Sequence, residues 1–198
     1  MKIKEFEILG PKLIDLDCWR DDRGFFVERF HLDRFRGLGL PTDFVQDNFS
    51  CSIPRTLRGL HYQFDQPQGK LVTCLRGKIF DVAVDIRKSS PTLGQHIAVE
   101  LSGDHPQLFW IPPGFAHGFV ALGDDVGGGA AAGVVNGAAS AAVDVMYKVD
   151  CHYNGKGEGG IIWNDPTLNI KWPISDVLLS PKDAVMPTFK DYLSNPKF

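Results

Sequence analysis

Hydrophobic and polar residues alternate with a period of two along most of the chain. The clearest stretch is "KIFDVAVDIR" (78–87), in which apolar and charged residues point to opposite faces of a strand. The apolar face holds Phe80, Val82, Val84 and Ile86, and the charged face holds Asp81, Asp85 and Arg87. Similar short segments follow one another, separated by Gly, Pro and Asp: "RGFFVERF", "FVQDNFS", "QHIAVEL", "QLFWIP", "HGFVAL" and "VDVMYKVD". Many short strands at this spacing predict an all-β sandwich or barrel.

Two segments depart from the strand pattern without changing the fold class. The stretch "HLDRFRGLG" (31–39) predicts a short helix that ends at glycine. The tail, about 175–198, is rich in Asp, Lys, Pro and Ser, and we expect it to wrap the barrel as loops and short helical turns. A length of 198 residues suits one domain with a sizeable core, so we expect residues 1–198 to form a single domain.

Residues 126–143, "VGGGAAAGVVNGAASAAV", carry no charge and contain only Gly, Ala, Val, Asn and Ser. The run is long enough to raise the possibility of a membrane helix. Its abundant glycine, its lack of Leu, Ile and Phe, and the strand-like sequence on both sides argue against one. The better interpretation is a Gly/Ala-rich loop or hairpin insertion that projects from the rim of the barrel and adds nothing to a site.

The segment "RTLRGLHYQF" (55–64) has the length of a strand but polar residues at its centre. Alternation predicts one face with Arg58, Leu60 and Tyr62 and the other with Gly59, His61 and Gln63. A polar outer face would explain these residues, and so would a functional site. Since a lone strand histidine is more often structural, the residues alone favour the first explanation.

The net charge of the chain excludes some classes of function, and its cysteine content indicates the compartment. The chain is 43% hydrophobic and 23% charged with a net charge of −3, which provides no electrostatic basis for binding nucleic acid or an anionic membrane. None of the 4 cysteines forms a C-x-x-C pair, so we expect free thiols in a reducing compartment, the cytoplasm. The start, "MKIKEFEILG", lacks the apolar core of a secretory signal.

Several motifs occur in an order that resembles the dTDP-4-dehydrorhamnose 3,5-epimerase family. They run from about residue 20 to residue 189: "DDRGFF", "FVQDNFS", "LRGLHYQ", "QGKLV", "WIPPGFAHGF", "MYK", "WNDP" and "LSPKD". The resemblance implies a cupin-type jelly roll with short peripheral helices, which dimerises by exchanging N-terminal strands. It also implies inversion of C3 and C5 of dTDP-4-dehydro-6-deoxy-D-glucose without a cofactor or a metal, giving dTDP-4-dehydro-L-rhamnose. The Gly/Ala run departs from the family pattern.

The implied reaction requires specific chemical groups. The hydrogens on C3 and C5 lie next to a C4 ketone, so inversion needs a base, an acid across the ring and a positive group near the enolate oxygen. By resemblance the base is His61, oriented by Asp183, the acid is Tyr147, and Lys70 stabilises the enolate. The pKa range of histidine suits a base at neutral pH.

Further residues are implied in binding the sugar nucleotide. Arg23 and Arg58 are the best partners for the diphosphate, because guanidinium groups bind phosphate oxygens in pairs. The others resemble residues that line the sugar and nucleotide site: Glu28, Gln46, Asn48, His117 and Tyr153. Taken singly, each has a plausible structural explanation as a polar strand face or a core residue.

Three alternatives stay open at this level. A relative that inverts only C3 or only C5 would have nearly the same motifs. A metal-binding cupin usually carries an H-x-H pair, but here Tyr62 and Gln63 follow His61, and only His117 fits. A non-catalytic sugar-nucleotide-binding cupin is also possible, since a fold does not assign a function; it would need neither base nor acid.

Overall fold

A computed structural model describes residues 1–122, 133–135, 138–140 and 142–198 of the chain. The described parts contain two short α-helices, α1 (Leu32–Gly37) and α2 (Phe189–Ser194), and single 3₁₀ turns at Gly155–Gly157 and Asp183–Val185. The strands, in chain order, are β1 (Lys2–Glu5), β2 (Lys12–Asp15), β3 (Cys18–Asp21), β4 (Gly24–Val27), β5 (Gln46–Ser52), β6 (Leu57–Gln63), β7 (Lys70–Arg76), β8 (Lys78–Asp85), β9 (His96–Ser102), β10 (Gln107–Ile111), β11 (Phe115–Ala121), β12 (Gly133–Val135), β13 (Ala138–Ser140), β14 (Val143–Val149) and β15 (Glu158–Gly160).

Two antiparallel sheets form the body of the molecule. The six-stranded sheet has the order β1-β2-β10-β7-β14-β5, and the five-stranded sheet has the order β15-β6-β11-β8-β9. Their inner faces share one hydrophobic core, with Val72 and Val145 from the first sheet against Ala83 and Phe119 from the second. The predicted all-β sandwich is therefore confirmed.

The outer face of each sheet is covered by a different part of the chain. On the five-stranded sheet, Leu60 and Tyr62 pack with Phe189 and Tyr192 of α2. On the six-stranded sheet, Leu71, Leu108 and Trp110 pack with Phe35 of α1 and with Leu40. The predicted helix and the predicted helical turns in the tail thus serve as covers, because a sheet with two apolar faces must bury both.

The alternation predicted for β8 is correct, but the apolar face is the outer one. Val82, Val84 and Ile86 pack in the cluster under the C-terminal residues. The charged positions Asp81 and Asp85 share their face with Ile79 and Ala83, which point between the two sheets. Consequently Asp81 and Asp85 lie in the interior of the sandwich.

A β-bulge in β6 corrects the prediction for Arg58. His61 lies opposite His117 of β11, but Arg58 lies opposite Phe119, so three steps on β6 match two on β11. The bulge moves Arg58 to the face of His61, not to the predicted face of Leu60 and Tyr62. The bulge requires glycine at position 59, because a Cβ there would lie 2.5 Å from the Gly118 Cα and would clash with it.

The prediction for residues 126–143 falls largely outside the described residues. Within this range β12 and β13 pair antiparallel in a two-stranded sheet of their own. The predicted end at residue 143 is wrong, because Ala142 and Val143 are buried and β14 begins at Val143. Small apolar residues suit both a loop and a packed strand, so composition placed the boundary too late.

Membrane insertion by a helix has no support in the described part of the chain. No helix there is long and apolar enough to cross a bilayer.

Candidate active site

His61 and Asp183 meet at one end of the space between the sheets. His61 projects from β6 towards that space, and Asp183 begins the 3₁₀ turn Asp183–Val185 in the tail. The His61 Nε2 atom lies 2.7 Å from the Asp183 Oδ1 atom, and their side chains are 26% and 5% exposed. The predicted pairing of these residues, which are 122 positions apart, is present in the fold.

The protonation of His61 follows from this contact. An ionised carboxylate only accepts hydrogen bonds, so Nε2 of His61 carries the shared hydrogen and Nδ1 is left with a free lone pair. Burial lowers the pKa of His61 below its usual value, against the opposing influence of Asp183. A lowered pKa keeps Nδ1 unprotonated at neutral pH, which is the state that a base requires.

A second histidine–carboxylate pair lies beside the first. His117 on β11 is directly opposite His61 in the sheet. Its Nε2 atom lies 2.9 Å from the Asp81 Oδ1 atom of β8, and both side chains are buried. The other oxygen of Asp81 is buried and has no hydrogen-bond partner among the described residues. The site therefore contains a carboxylate with spare hydrogen-bonding capacity.

Lys70 enters from the opposite sheet. It is the first residue of β7, and the charges of Glu158 and Asp81 both act on it. Burial nevertheless lowers the pKa of Lys70 to about 8, so the ammonium group is still mostly charged at pH 7. A desolvated ammonium group at this position can stabilise a developing negative charge more strongly than an exposed one.

Tyr147 lies on β14, next to β7 in the six-stranded sheet. Its backbone pairs with Val72 on one side and Asn48 on the other, and its ring packs against the inter-sheet core. Burial raises the pKa of Tyr147, with Glu158 adding to the rise and Arg58 opposing it. The hydroxyl thus stays protonated at neutral pH and can donate a proton.

Three charged residues of this site, Glu158, Lys182 and Asp81, are not among the predicted site residues. The Glu158 carboxylate accepts hydrogen bonds from the Tyr153 hydroxyl at 2.9 Å and from Lys182 Nζ at 2.5 Å. Burial works to raise the pKa of Glu158, but those two bonds and the charge of His61 bring it below its usual range. Its charge also acts on the pKa values of His61, Lys70 and Tyr147.

The signals that could have found the missed residues are weak. Glu158 stands alone in the glycine-rich stretch "NGKGEGG", Lys182 directly precedes Asp183, and Asp81 belongs to an ordinary alternating strand. Nothing in their spacing links them to His61. Only the pairing of β15 with β6 and of β8 with β11 brings two of them there.

Polar residues on β5 and β6 extend the site along its rim. Gln46 donates from its amide to Asn48 Oδ1 at 2.8 Å, and its own oxygen accepts the Tyr153 N–H at 3.2 Å. Arg58 donates from Nε to Ser52 Oγ at 3.1 Å, bridging β6 to β5. The predicted residues Gln46, Asn48 and Arg58 therefore lie on the strands that carry His61 or pair with Tyr147, and the Tyr153 backbone is bonded to Gln46.

Two predicted binding residues lie elsewhere. Arg23 stands at the turn between β3 and β4 with its side chain 91% exposed, and its guanidinium pairs with Asp21 at 2.6 Å. Glu28 follows β4, and its carboxylate lies 3.0 Å from Arg34 of α1. Within one copy of the chain, the described contacts do not bring these residues to the His61 group.

The described residues contain no group of three or more His, Cys, Asp or Glu side chains arranged to hold a metal ion. The two histidines of the site instead each contact one aspartate.

Comparison with known proteins identifies the family. The family model described as dTDP-4-dehydrorhamnose 3,5-epimerase matches residues 5–127 and 126–191. A curated relative of that name from Shigella flexneri is 42% identical over 193 residues, covering 96% of this chain and 97% of its own length.

Solved structures agree with that match. The dTDP-6-deoxy-D-glucose-3,5-epimerase of Legionella pneumophila, in complex with dTDP-4-keto-L-rhamnose, superposes with a TM-score of 0.84 at 45% identity. The match covers 96% of this chain and 93% of that one. A 3'-monoepimerase from Streptomyces bikiniensis, in complex with dTDP-quinovose, gives a TM-score of 0.81 at 28% identity, covering 96% of this chain and 88% of that one.

These matches span nearly the whole chain, and the expected cupin-type jelly roll is confirmed. The shared two-sheet architecture and the sequence identity lead to one conclusion: the chain belongs to the dTDP-4-dehydrorhamnose 3,5-epimerase family.

Proposed function

We propose that this protein inverts C3 and C5 of dTDP-4-dehydro-6-deoxy-D-glucose, giving dTDP-4-dehydro-L-rhamnose. The observation that carries the proposal is the His61–Asp183 contact of 2.7 Å in the space between the sheets, near the half-buried Lys70. A neutral base, a nearby cation and a phenol together meet the needs of proton exchange beside a ketone. A binding protein would need none of them.

The first half of each inversion is proton abstraction. Nδ1 of His61 takes the proton from the carbon next to the C4 ketone, and the electrons of the C–H bond move into an enolate whose charge rests on the C4 oxygen. Asp183 stabilises the imidazolium that forms, because its charge favours the protonated ring. Lys70 stabilises the enolate oxygen.

The second half is reprotonation from the other face. The Tyr147 hydroxyl donates its proton to the carbon and is left as a tyrosinate, while the C4 ketone re-forms. Proton exchange with solvent then returns His61 and Tyr147 to their starting states. Repetition at the other carbon completes the reaction.

We further assign the substrate contacts that the resemblance implies. His117 supports the base from the adjacent strand, and Gln46, Asn48 and Tyr153 border the sugar and nucleotide. Arg58 lies on the face of His61, where it can meet the diphosphate. In this proposal residues 1–198 act as one epimerase domain.

Deuterium uptake tests the function directly. With the purified protein and the keto sugar in heavy water, deuterium should enter at both C3 and C5, and the product should have both centres inverted. Uptake at one carbon only would identify a single-centre epimerase, and no uptake would indicate a binding protein.

Tyr147→Phe separates the two halves of the reaction. The variant keeps the ring and leaves His61 in place, so a C5 deuterium could still be washed out while the inverted product fails to accumulate. Equal loss of washout and product would argue against Tyr147 as the acid.

We also propose that the protein is a homodimer formed by exchange of N-terminal strands. Support comes from the β3–β4 hairpin, which exposes Trp19, Phe25 and Phe26 by 52%, 45% and 67%, and from β1, an edge strand. A partner covering this hairpin would also bring Arg23 to the neighbouring site.

Light scattering tests the dimer and should give twice the chain mass. Phe26→Asp should shift the protein towards monomer, and a wild-type monomer at micromolar concentration would contradict the proposal.

Finally, we place the enzyme in the cytoplasm. The support is that Cys18, Cys51, Cys74 and Cys151 are all free thiols. Alkylation of the protein in freshly lysed cells, without reductant, should modify the accessible thiols.

A further inference from the structure

Gln63 is a buried amide beside the proposed base that the proposed function leaves without a role. It ends β6, two residues after His61 and on the same face, and is only 5% exposed. Its Nε2 atom donates to the Gln66 carbonyl at 2.6 Å and the His152 carbonyl at 3.1 Å, and its Oε1 atom accepts the Asn154 N–H at 2.8 Å. Every described partner of this amide is a backbone group.

Two of those partners, the His152 carbonyl and the Asn154 N–H, flank Tyr153. The carbonyl before it and the N–H after it are tied to Gln63, while the Tyr153 N–H itself donates to Gln46 Oε1. Gln63 lies on the five-stranded sheet and Gln46 on the six-stranded sheet. Three successive residues are thus held between the two sheets by two glutamine side chains.

The hydrogen bonds of this segment continue from its backbone to the charged residues of the site. The Tyr153 hydroxyl donates to Glu158 Oε2 at 2.9 Å. Glu158 is the carboxylate whose charge acts on His61, Lys70 and Tyr147. A displacement of residues 152–154 would therefore move the Tyr153 hydroxyl and remove one of the two described bonds that hold this carboxylate.

We propose that Gln63 is a positioning residue for the epimerase reaction. It fixes the backbone at residues 152–154, so that Tyr153 borders the substrate and holds Glu158 beside the base. The inference rests on the proposed function, in which Tyr153 contacts the sugar. A displacement of about 1 Å in a substrate-positioning group can cost on the order of 100-fold in rate.

The chain offers a matched control in Gln68. Its amide also donates to a backbone carbonyl of the same segment, that of Cys151, at 2.6 Å. This single contact lies two residues before Tyr153. A general loosening of the segment should follow from loss of either glutamine, whereas a positioning role belongs to Gln63 alone.

The experiment compares Gln63→Met, Gln63→Glu and Gln68→Met. Methionine keeps the length of the side chain but lacks the amide, so Gln63→Met should lower kcat/KM by roughly 10- to 100-fold, mostly through KM. Glutamate can still accept the Asn154 N–H but cannot, when ionised, donate to the two carbonyls. Gln63→Glu should therefore also be impaired, and it replaces the methionine variant if that one fails to fold. Gln68→Met should stay within about threefold of wild type.

A double-mutant cycle with Tyr153→Phe shows whether Gln63 acts through Tyr153. Once the hydroxyl is gone, adding Gln63→Met should cost far less than it does in the wild type. Hydrogen exchange supplies a readout independent of activity: the Asn154 amide should lose protection in Gln63→Met and keep it in Gln68→Met.

The inference is overturned if folded Gln63 variants turn over like wild type while wild type is active. It is equally overturned if the losses from Gln63→Met and Tyr153→Phe multiply in full, or if Asn154 stays protected in an impaired Gln63 variant. An inactive wild-type protein would instead defeat the proposed function itself, so the two failures are distinguishable.

Discussion

Asp81 and Asp85 lie four residues apart on one face of β8, and both side chains are completely buried, yet their surroundings differ. Asp85 accepts hydrogen bonds from the Arg87 backbone and guanidinium and from the Ser90 and Thr92 hydroxyls. Asp81 has one oxygen on His117, and its other oxygen has no described hydrogen-bond partner.

The difference separates a structural carboxylate at the end of β8 from a carboxylate in the middle of the strand that belongs to the candidate site. Burial works to raise the pKa of Asp85, but its hydrogen bonds outweigh burial and lower the pKa to about 2. All of these partners lie in the segment directly after β8, at residues 87–92, so this carboxylate stabilises a local connection. Asp81 instead faces His117 and acts on Lys70 from another sheet. A buried polar group with unused capacity is more typical of a functional site than of a structural one.

The largest effect should come from the proposed base, His61, and its partner Asp183. His61→Ala and Asp183→Asn should each lower proton exchange at C3 and C5 by at least about 10²–10⁴-fold, the usual contribution of general-base catalysis. Because the two residues act as one unit, the double variant should be little worse than either single variant. Deuterium washout measures each rate. Near wild-type C5 exchange in His61→Ala would make His61 a structural histidine.

Asp81→Asn should lower kcat/KM by roughly 10- to 100-fold. The substitution removes a buried charge that acts on Lys70, and it replaces the carboxylate that contacts His117 with a neutral amide. The charge of Asp81 supports the protonated form of Lys70, so the alkaline limb of the pH profile should also move to lower pH. Steady-state kinetics from pH 6 to 10 checks both effects. An unchanged profile would place Asp81 with Asp85 as a structural residue.

Asp85→Asn makes the same substitution at the structural carboxylate of β8. It should cost about 2 kcal/mol of unfolding free energy, since it removes a charge that accepts several buried hydrogen bonds. The pKa of this carboxyl is lowered in the folded state, so its contribution is complete above the ordinary pKa near 3.8 and is lost as pH falls towards 2. Urea unfolding at pH 7 and pH 3 should show a smaller difference between variant and wild type at the lower pH. The kcat/KM at 25 °C should stay within about threefold of wild type; a large drop would erase the contrast.

The mildest perturbation is a change of pH for the unmodified enzyme. The pKa of Lys70 is about 8, so kcat/KM should fall about tenfold per pH unit well above that value as the ammonium group loses its proton. On the acid side it should fall as His61 gains a proton, below the ordinary histidine pKa of 6.5. Lys70→Arg, although slower, should lose the alkaline limb, because guanidinium stays charged. Retention of that limb would assign it to another group.

Particular residues show how far sequence patterns reach. The alternation in "KIFDVAVDIR" predicts two faces of β8 correctly, but the apolar face packs against the tail, and Asp81 and Asp85 point inward. Alternation fails at Arg58 because a bulge at Gly59 adds one residue to β6. The placement of His61 with Asp183 was available only through resemblance to a family.

The sequence by itself determined the strand pattern, the chemical groups at hand and the family. Only the tertiary structure decided which carboxylates are satisfied and which are left to act on a neighbour. Asp85 finds its donors within seven residues, but His117 lies 36 positions from Asp81, and Asp183 lies 122 positions from His61. Contacts across such distances depend on strand register and sheet packing, and these are properties of the whole fold, which no local pattern specifies.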